Sequence, residues 1–357
     1  MKNRRSRLVD IASGKGYTAV AAFQPENVFY LTNFWGEATA ICCNDSTKLI
    51  VPKLEACRAE QDSKDCEIIF SDRGLQLIDA SVNEAKGKIV CADDPDYSTV
   101  EAIQRRSSEN NFIFNTDTLV EGRIIKDKSE IYVISKAAKI IDELYEICTH
   151  EIKIGLSERA LQAKLIFEAM QMDAKAACYK STLNPLIIAS GPNGALPHSQ
   201  ISDREFVDGD MIVVDLTLRY ASYIADATRT FALGRTRRET KEAYEVVKQS
   251  QQIGIDYAKE GILCERVDDE CRALISNLGY GNQFIHSTGH GVGLSIHEPP
   301  WLRNPNQQVL RRNMAVTIEP GIYVDWKFGV RIEDSIIVNN GQAKNLNGFT
   351  KDLLVLG

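Results

Sequence analysis

The sequence predicts an α+β protein in two parts: a smaller α/β domain over residues 1–122, then an α+β domain over residues 123–357 built from two similar halves. Three observations carry that prediction. Short apolar runs alternate with helical segments up to residue 122. A long amphipathic pattern then opens behind Asp127, which forms a candidate capping pair with Glu130. From there the order helix, helix, strand, strand occurs twice, offset by roughly a hundred residues. The length of 357 residues agrees with two parts, because single cores stop growing near about 250–300 residues.

In the first part, "YTAVAAF", "NVFYL", "ATAICC", "KLIV", "EIIF" and "KIVCA" read as strands. "KLEACRAEQ", "GLQLIDASVNE" and "STVEAIQRRSSE" read as the helices between them. No phosphate-binding glycine fingerprint follows any of these strands, so a nucleotide domain is not expected. In the second part, Ile134, Ala137, Ala138, Ile141, Leu144, Tyr145 and Cys148 share one helical face, and a second helix is expected over 157–170. After a loop rich in proline and glycine, "DMIVVDLTLRYASYIADATRTFAL" reads as two strands and a short turn. The second half begins with a helix opening at Thr240, then "CERVDDECRALISNLG", which ends at a glycine stop signal. "NMAVTIEPGIYVDWKFGVRIEDSIIV" supplies its strands. A pocket is expected where the two sets of strands meet.

Bulk properties narrow the function. A net charge of -7 and a pI of about 5.5 argue against a nucleic-acid or anionic-membrane surface. The basic start "MKNRRSR" has no long apolar core behind it, so it does not read as a secretory signal. Nine cysteines occur without a C-x-x-C spacing. They are expected to be reduced thiols of a cytoplasmic protein and not a zinc site.

The chemistry is signalled by charges in apolar strands. Asp215 lies inside "IVVDLTL" and Asp226 inside "SYIADATRTF". A turn centred on Tyr220 and Ala221 would set the two carboxylates opposite each other, where like charges destabilise a sheet. Glu319 ends "AVTIE", and Glu333 follows Arg331 by two residues in "VRIED". Such carboxylates are costly unless paired or bound to a cation. Four converging on one pocket could be relieved by protonation, or by two divalent cations. Three of only five histidines, His286, His290 and His297, fall in "IHSTGHGVGLSIHEPP". His290 could complete a ligand set of oxygens and one imidazole, which suits manganese, cobalt, iron or zinc. The helical zinc motif is rejected, since Ser287 stands in place of its glutamate and Gly289, Gly291 and Gly293 break a helix. These glycines are expected to let the backbone run close to the ions. His150 ends a helix and is assigned no function beyond complementing the helix dipole.

At these residues the chain resembles the Xaa-Pro peptidases of the creatinase/prolidase group, metallopeptidase family M24, which share a pita-bread fold with methionine aminopeptidases. "GPNGALPHS" resembles the loop that carries His198. "VVDLTLRYASYIADATRTF" resembles the two-aspartate hairpin, and "HSTGHGVGLSIHEPP", "TIEPGIY" and "GVRIEDSIIV" the remaining site segments. "NVFYLTNF" is similar to the start of the group's N-terminal module. The chain departs from the pattern at Thr217 and Asn33, where glycines are usual.

The resemblance implies two bound divalent metal ions, bridged by Asp226 and Glu333, with Asp215 on one and His290 and Glu319 on the other. Glu319 would shuttle the proton of the attacking water. His198, His286 and His297 would handle the substrate, and Arg331 would orient the carboxylates. The implied substrate is a small proline-containing peptide, and the implied assembly is a homodimer. An Xaa-Pro dipeptidase is preferred over an Xaa-Pro aminopeptidase acting on longer peptides. A metal-free creatinase-like hydrolase and a non-catalytic interaction module are the weaker alternatives.

Overall fold

The basic run at the start of the chain is an amphipathic helix, Lys2–Gly14 (α1), that buries Leu8, Val9 and Ala12. Its Arg5 guanidinium donates to three backbone carbonyls, at Leu31, Lys64 and Asp65. The protein is described by a computed structural model that covers all residues except Asp45, 108–110, 179–181 and 183. It divides into two units, Met1–Arg123 and Ile124–Gly357.

The first unit contains a six-stranded mixed sheet in the order β4-β3-β2-β1-β5-β6. The strands are Ala19–Ala22 (β1), Thr39–Cys42 (β2), Thr47–Pro52 (β3), Glu67–Ser71 (β4), Val90–Ala92 (β5) and Phe112–Phe114 (β6). Helices Pro25–Thr32 (α2), Ala56–Asp62 (α3), Leu75–Glu84 (α4), Tyr97–Arg106 (α5) and Thr116–Ile124 (α6) connect or follow them. The end of the segment read as the α5 helix, 108–109, lies outside the described residues. One element differs from expectation. "NVFYL" is helical, within α2, and every residue from Asn27 to Thr32 is buried. A short apolar run cannot distinguish a buried helix from a buried strand, and here the flanks decide. Pro25 occupies the first turn, and Asn33 closes the helix in a left-handed conformation with φ 66°. Asparagine tolerates that conformation, so its substitution for glycine preserves the cap.

The second unit begins with Lys128–Glu151 (α7). Asp127 accepts from the Glu130 backbone while Glu130 accepts from the Asp127 backbone, a complete capping box. All seven residues expected on its inner face are buried. Glu158–Gln171 (α8), capped by Ser157, comes next. The loop after it also holds two short strands, Ala174–Ala176 (β7) and Ile187–Ser190 (β8). Met211–Tyr220 (β9) and Tyr223–Leu233 (β10) form a hairpin at the centre of the first sheet, order β18-β10-β9-β7 with β8 also on β9. The second half repeats the order with Arg238–Tyr257 (α9) and Cys264–Asn277 (α10), then Gly289–Gly291 (β11), Glu298–Leu302 (β12), Ala315–Ile318 (β13), Gly321–Val324 (β14), Phe328–Arg331 (β15) and Asp334–Ile337 (β16). Strands Lys344–Asn345 (β17) and Val355–Leu356 (β18) complete the two sheets. The second sheet runs β12-β11-β13-β16-β17, and β14 and β15 form a separate pair.

The hairpin register corrects the turn assignment. The turn residues are Ala221 and Ser222, both with positive φ, 42° and 74°, which is the geometry a two-residue hairpin loop needs. Asp226 therefore faces Thr217, and Asp215 faces Thr228. Neither alanine nor serine advertises positive φ, so the sequence favoured the wrong pair. The displacement is two residues, and an even shift keeps every side chain on its face. Asp215, Thr217, Asp226 and Thr228 thus share one surface of the hairpin. The two sheets meet at that surface through a bridge between Thr228 and Glu333.

Candidate active site

The site residues come from strands and strand ends of both halves of the second unit. Asp215 and Asp226 come from the long hairpin, and His290 from β11. Glu319 follows β13, and Glu333 sits between β15 and β16. Gly289 and Gly291 flank the imidazole for a packing reason. A Cβ on Gly289 would lie 2.0 Å from the Thr317 carbonyl oxygen, and one on Gly291 2.3 Å from that of Pro299. The glycines therefore admit neighbouring backbones on both sides of β11.

The convergence is tight. Asp226, His290 and Glu333 each offer a ligand atom within 4.8 Å of the others, and all three are buried. Glu319 Oε1 lies 3.3 Å from His290 Nε2. Asp215 Oδ2 accepts from Arg331 Nη2 at 2.5 Å. His290 Nδ1 is 3.0 Å from the Gly291 carbonyl, so it carries the proton and directs the Nε2 lone pair into the site. The cavity around these groups, about 220 Å³, is also lined by His198, His286, His297 and Arg331.

Arg331 organises the carboxylates. Besides Asp215, its guanidinium donates to Thr228 Oγ1 at 3.0 Å and to Tyr323 OH at 2.8 Å. Thr228 in turn donates to Glu333 Oε2 at 2.7 Å, and Thr217 donates to Asp226 Oδ1 at 2.9 Å. His286 lines the cavity, but both ring nitrogens are engaged: Nδ1 with the Ser287 carbonyl and Nε2 with Tyr323 OH, each at 2.8 Å. With Nδ1 protonated, Nε2 accepts from the Tyr323 hydroxyl, which itself accepts from Arg331. His286 is thus linked through Tyr323 to Arg331 while its ring borders the cavity.

The electrostatics explain what the site requires. Four carboxylates face one guanidinium. Burial pushes the Asp215 carboxyl up to about 7 despite Arg331 and the Glu319 carboxyl up to about 8. Burial raises Asp226 and Glu333 as well, with neighbouring carboxylates adding to the rise at Glu333. It pulls His286 down to about 3 and His290 and His297 to about 4, so all three are neutral near pH 7. Desolvation also lowers His198. Two buried carboxylate oxygens, Asp215 Oδ1 and Glu333 Oε1, have no hydrogen-bond partner. Orphaned anionic oxygens beside a neutral imidazole nitrogen fit a divalent cation, which would accept all of these lone pairs together.

Sequence reasoning missed Tyr323, Thr228 and Trp301. Tyr323 and Thr228 tie Arg331 to the rest of the cluster, and Trp301 lines the cavity beside His297. The one available signal was alternation: Tyr323 is two residues from Gly321 in "EPGIY", on a strand expected to border the site.

A buried carboxylate–imidazole cluster between two sheets, each fed by a helix pair, defines a metal-dependent hydrolase of pita-bread architecture. Comparison with known proteins agrees. Residues 133–340 match metallopeptidase family M24, and residues 4–125 match the creatinase/prolidase N-terminal domain. The chain belongs to metallopeptidase family M24 and is a peptidase. It is 34% identical over 359 aligned positions to the Xaa-Pro dipeptidase of Pyrococcus furiosus, spanning 99% of this chain and 100% of that one. The structure of an Xaa-Pro dipeptidase from Bacillus anthracis superposes with a TM-score of 0.92 at 30% identity, covering 99% of each chain. An X-Pro aminopeptidase from Thermotoga maritima superposes at 0.88 with 29% identity, again over 99% of each.

Proposed function

We propose that this protein hydrolyses the bond between an N-terminal residue and proline, with Xaa-Pro dipeptides as its main substrates and two divalent metal ions as its cofactor. The observation that carries the proposal is the buried cluster of Asp226, His290 and Glu333, bordered by orphaned oxygens of Asp215 and Glu333. Asp215, Asp226, His290, Glu319 and Glu333 would hold the ions. Manganese, cobalt, zinc and iron all suit that donor set. Bound there, the ions supply a Lewis acid for the scissile carbonyl and an acidified water as nucleophile.

The remaining work falls to the chain. Glu319 is the proton carrier: its carboxylate takes the proton of the attacking water and gives it to the proline nitrogen as the C–N bond breaks. The leaving proline nitrogen needs that proton because it must depart as a neutral amine and not as an amide anion. His198 and His297 are neutral near pH 7 and act as hydrogen-bond donors to the carbonyl oxygens of the substrate. Arg331 fixes Asp215, while Tyr323 and His286 fix Arg331, so the carboxylates are held before substrate arrives.

A dipeptide and a tripeptide that share one Xaa-Pro start test the substrate length. Faster cleavage of the dipeptide is expected, and preference for the tripeptide would favour the aminopeptidase reading that the Thermotoga maritima likeness also suits. Activity that survives chelation would favour the creatinase-like reading. We include a cytoplasmic setting and a homodimer in this proposal. A solution mass equal to one 39.8 kDa chain would remove the dimer.

A further inference from the structure

We propose that the buried ion pair between Lys126 and Glu298 is a positioning device for this reaction, holding His297 in place against His290. The inference rests on the Xaa-Pro reading above, in which His297 donates to the substrate.

His297 closes the loop 292–297, which joins β11 to β12. Its imidazole stands edge-on to that of His290, with the ring centroids 4.4 Å apart. The far end of the loop is tied to the long hairpin. There the Ile224 N–H donates to the Gly293 carbonyl at 2.8 Å, and Arg219 Nη1 donates to that of Leu294 at 2.9 Å. Glu298 ties the near end. Successive side chains of an extended segment point to opposite sides, so with His297 lining the cavity the next carboxylate is turned inward, where it is 4% exposed. Lys126, 1% exposed, meets it there, with Nζ donating to Oε1 at 2.8 Å. Oε2 accepts from the Ser295 N–H at 3.4 Å, back within the loop. Pro299 and Pro300 follow and bring no N–H of their own. The lysine is itself fixed, its backbone N–H donating to the Asn313 carbonyl at 2.9 Å. The loop backbone lies directly on the pair: a Cβ on Gly293 would fall 2.5 Å from Glu298 Oε1 and 3.1 Å from Lys126 Cε.

Stability alone does not account for such a pair. Two charges taken out of water cost about what their attraction returns, and apolar residues of similar volume often hold a fold as well. What apolar residues lack is direction. A charge-assisted hydrogen bond fixes the Glu298 carboxylate, and with it the backbone that carries His297, in one place. A group that donates to the reacting carbonyl tolerates little displacement, since a shift of about 1 Å can cost about a hundredfold in rate.

The test is Lys126→Met/Glu298→Leu, which removes both charges and nearly keeps the volume. Its Tm should match or exceed that of the wild type. On an Xaa-Pro dipeptide, kcat of the manganese-loaded variant should fall about tenfold or more, with KM within about threefold. The chain has five histidines, so the imidazole proton–carbon resonances of the zinc-loaded protein report on each ring separately. Those of His297 should shift while those of His150 stay. If the double variant does not fold, Glu298→Gln, which keeps the side-chain shape, takes its place with the same expected changes in kcat and resonance. A folded variant with wild-type kcat, or one whose His297 resonances do not move, would overturn the inference. A wild type that cleaves no Xaa-Pro peptide would bring down the functional reading instead, and the His297 resonances would still decide the role of the pair.

Discussion

Removal of the metal should make the stability of this protein fall as pH rises. Asp215 and Glu319 are held at about 7 and about 8 by burial among like charges, against ordinary values of 3.8 and 4.5. A carboxyl raised in the folded state contributes stability below its unfolded pKa and loses that contribution as pH rises through the folded one. A rise of about three pKa units corresponds to about 4 kcal/mol. The two groups belong to one cluster and share protons, so about 4 kcal/mol for the pair is the reasonable total. For a unit of this size, each kcal/mol moves Tm by about 2–4 °C. The loss runs from about pH 4 to about pH 8, and about 2–3 kcal/mol of it falls above pH 5.5, so the metal-free protein should melt about 4–12 °C lower at pH 8.5 than at pH 5.5. The manganese-loaded protein should show little of this slope, because the ions balance the ionised carboxylates. Scanning calorimetry of chelated and reloaded samples measures both. A metal-free protein as stable at pH 8.5 as at pH 5.5 would refute the reasoning, since it would mean that the carboxylates ionise at no cost.

Two substitutions probe the framework of the site. Thr217→Val removes the hydroxyl that donates to Asp226 while keeping the side-chain shape, so manganese affinity measured by titration calorimetry should weaken by about tenfold or more. Equal affinity would show that the hydroxyl does not orient Asp226. Gly289→Ala forces a Cβ to within 2.0 Å of the Thr317 carbonyl oxygen, and backbone cannot yield as a flexible side chain can. It should displace β11 and lower both Tm and bound metal, while Gly341→Ala, where a Cβ meets nothing within 4 Å, should change neither.

Much of the candidate site was legible because its residues violate the pattern around them. Asp215 and Asp226 are charges in strands that otherwise bury apolar side chains, and Glu319 and Glu333 sit at the ends of such strands. Imidazole is scarce in the chain, and most of it falls in one glycine-rich stretch. The partners of these groups left no such mark. Thr228 and Tyr323 are ordinary strand residues by propensity, and only the three-dimensional register reveals that one reaches Glu333 and the other Arg331. His286 looked equivalent to its neighbours until its two ring nitrogens were located. The α2 helix was misread because an apolar run as short as Val28–Leu31 fits either secondary structure. The hairpin turn was misplaced because Ala221 and Ser222 adopt positive φ without being glycine or asparagine.

Bound metal and cleavage of an Xaa-Pro dipeptide, measured together on the wild type and on Asp226→Asn, test the central claim most directly. Two ions per wild-type chain are expected, with ions and cleavage both largely lost when the Asp226 carboxylate becomes an amide. A wild type that cleaves at full rate with fewer than one ion per chain, or an Asp226→Asn protein that keeps its activity, would contradict it.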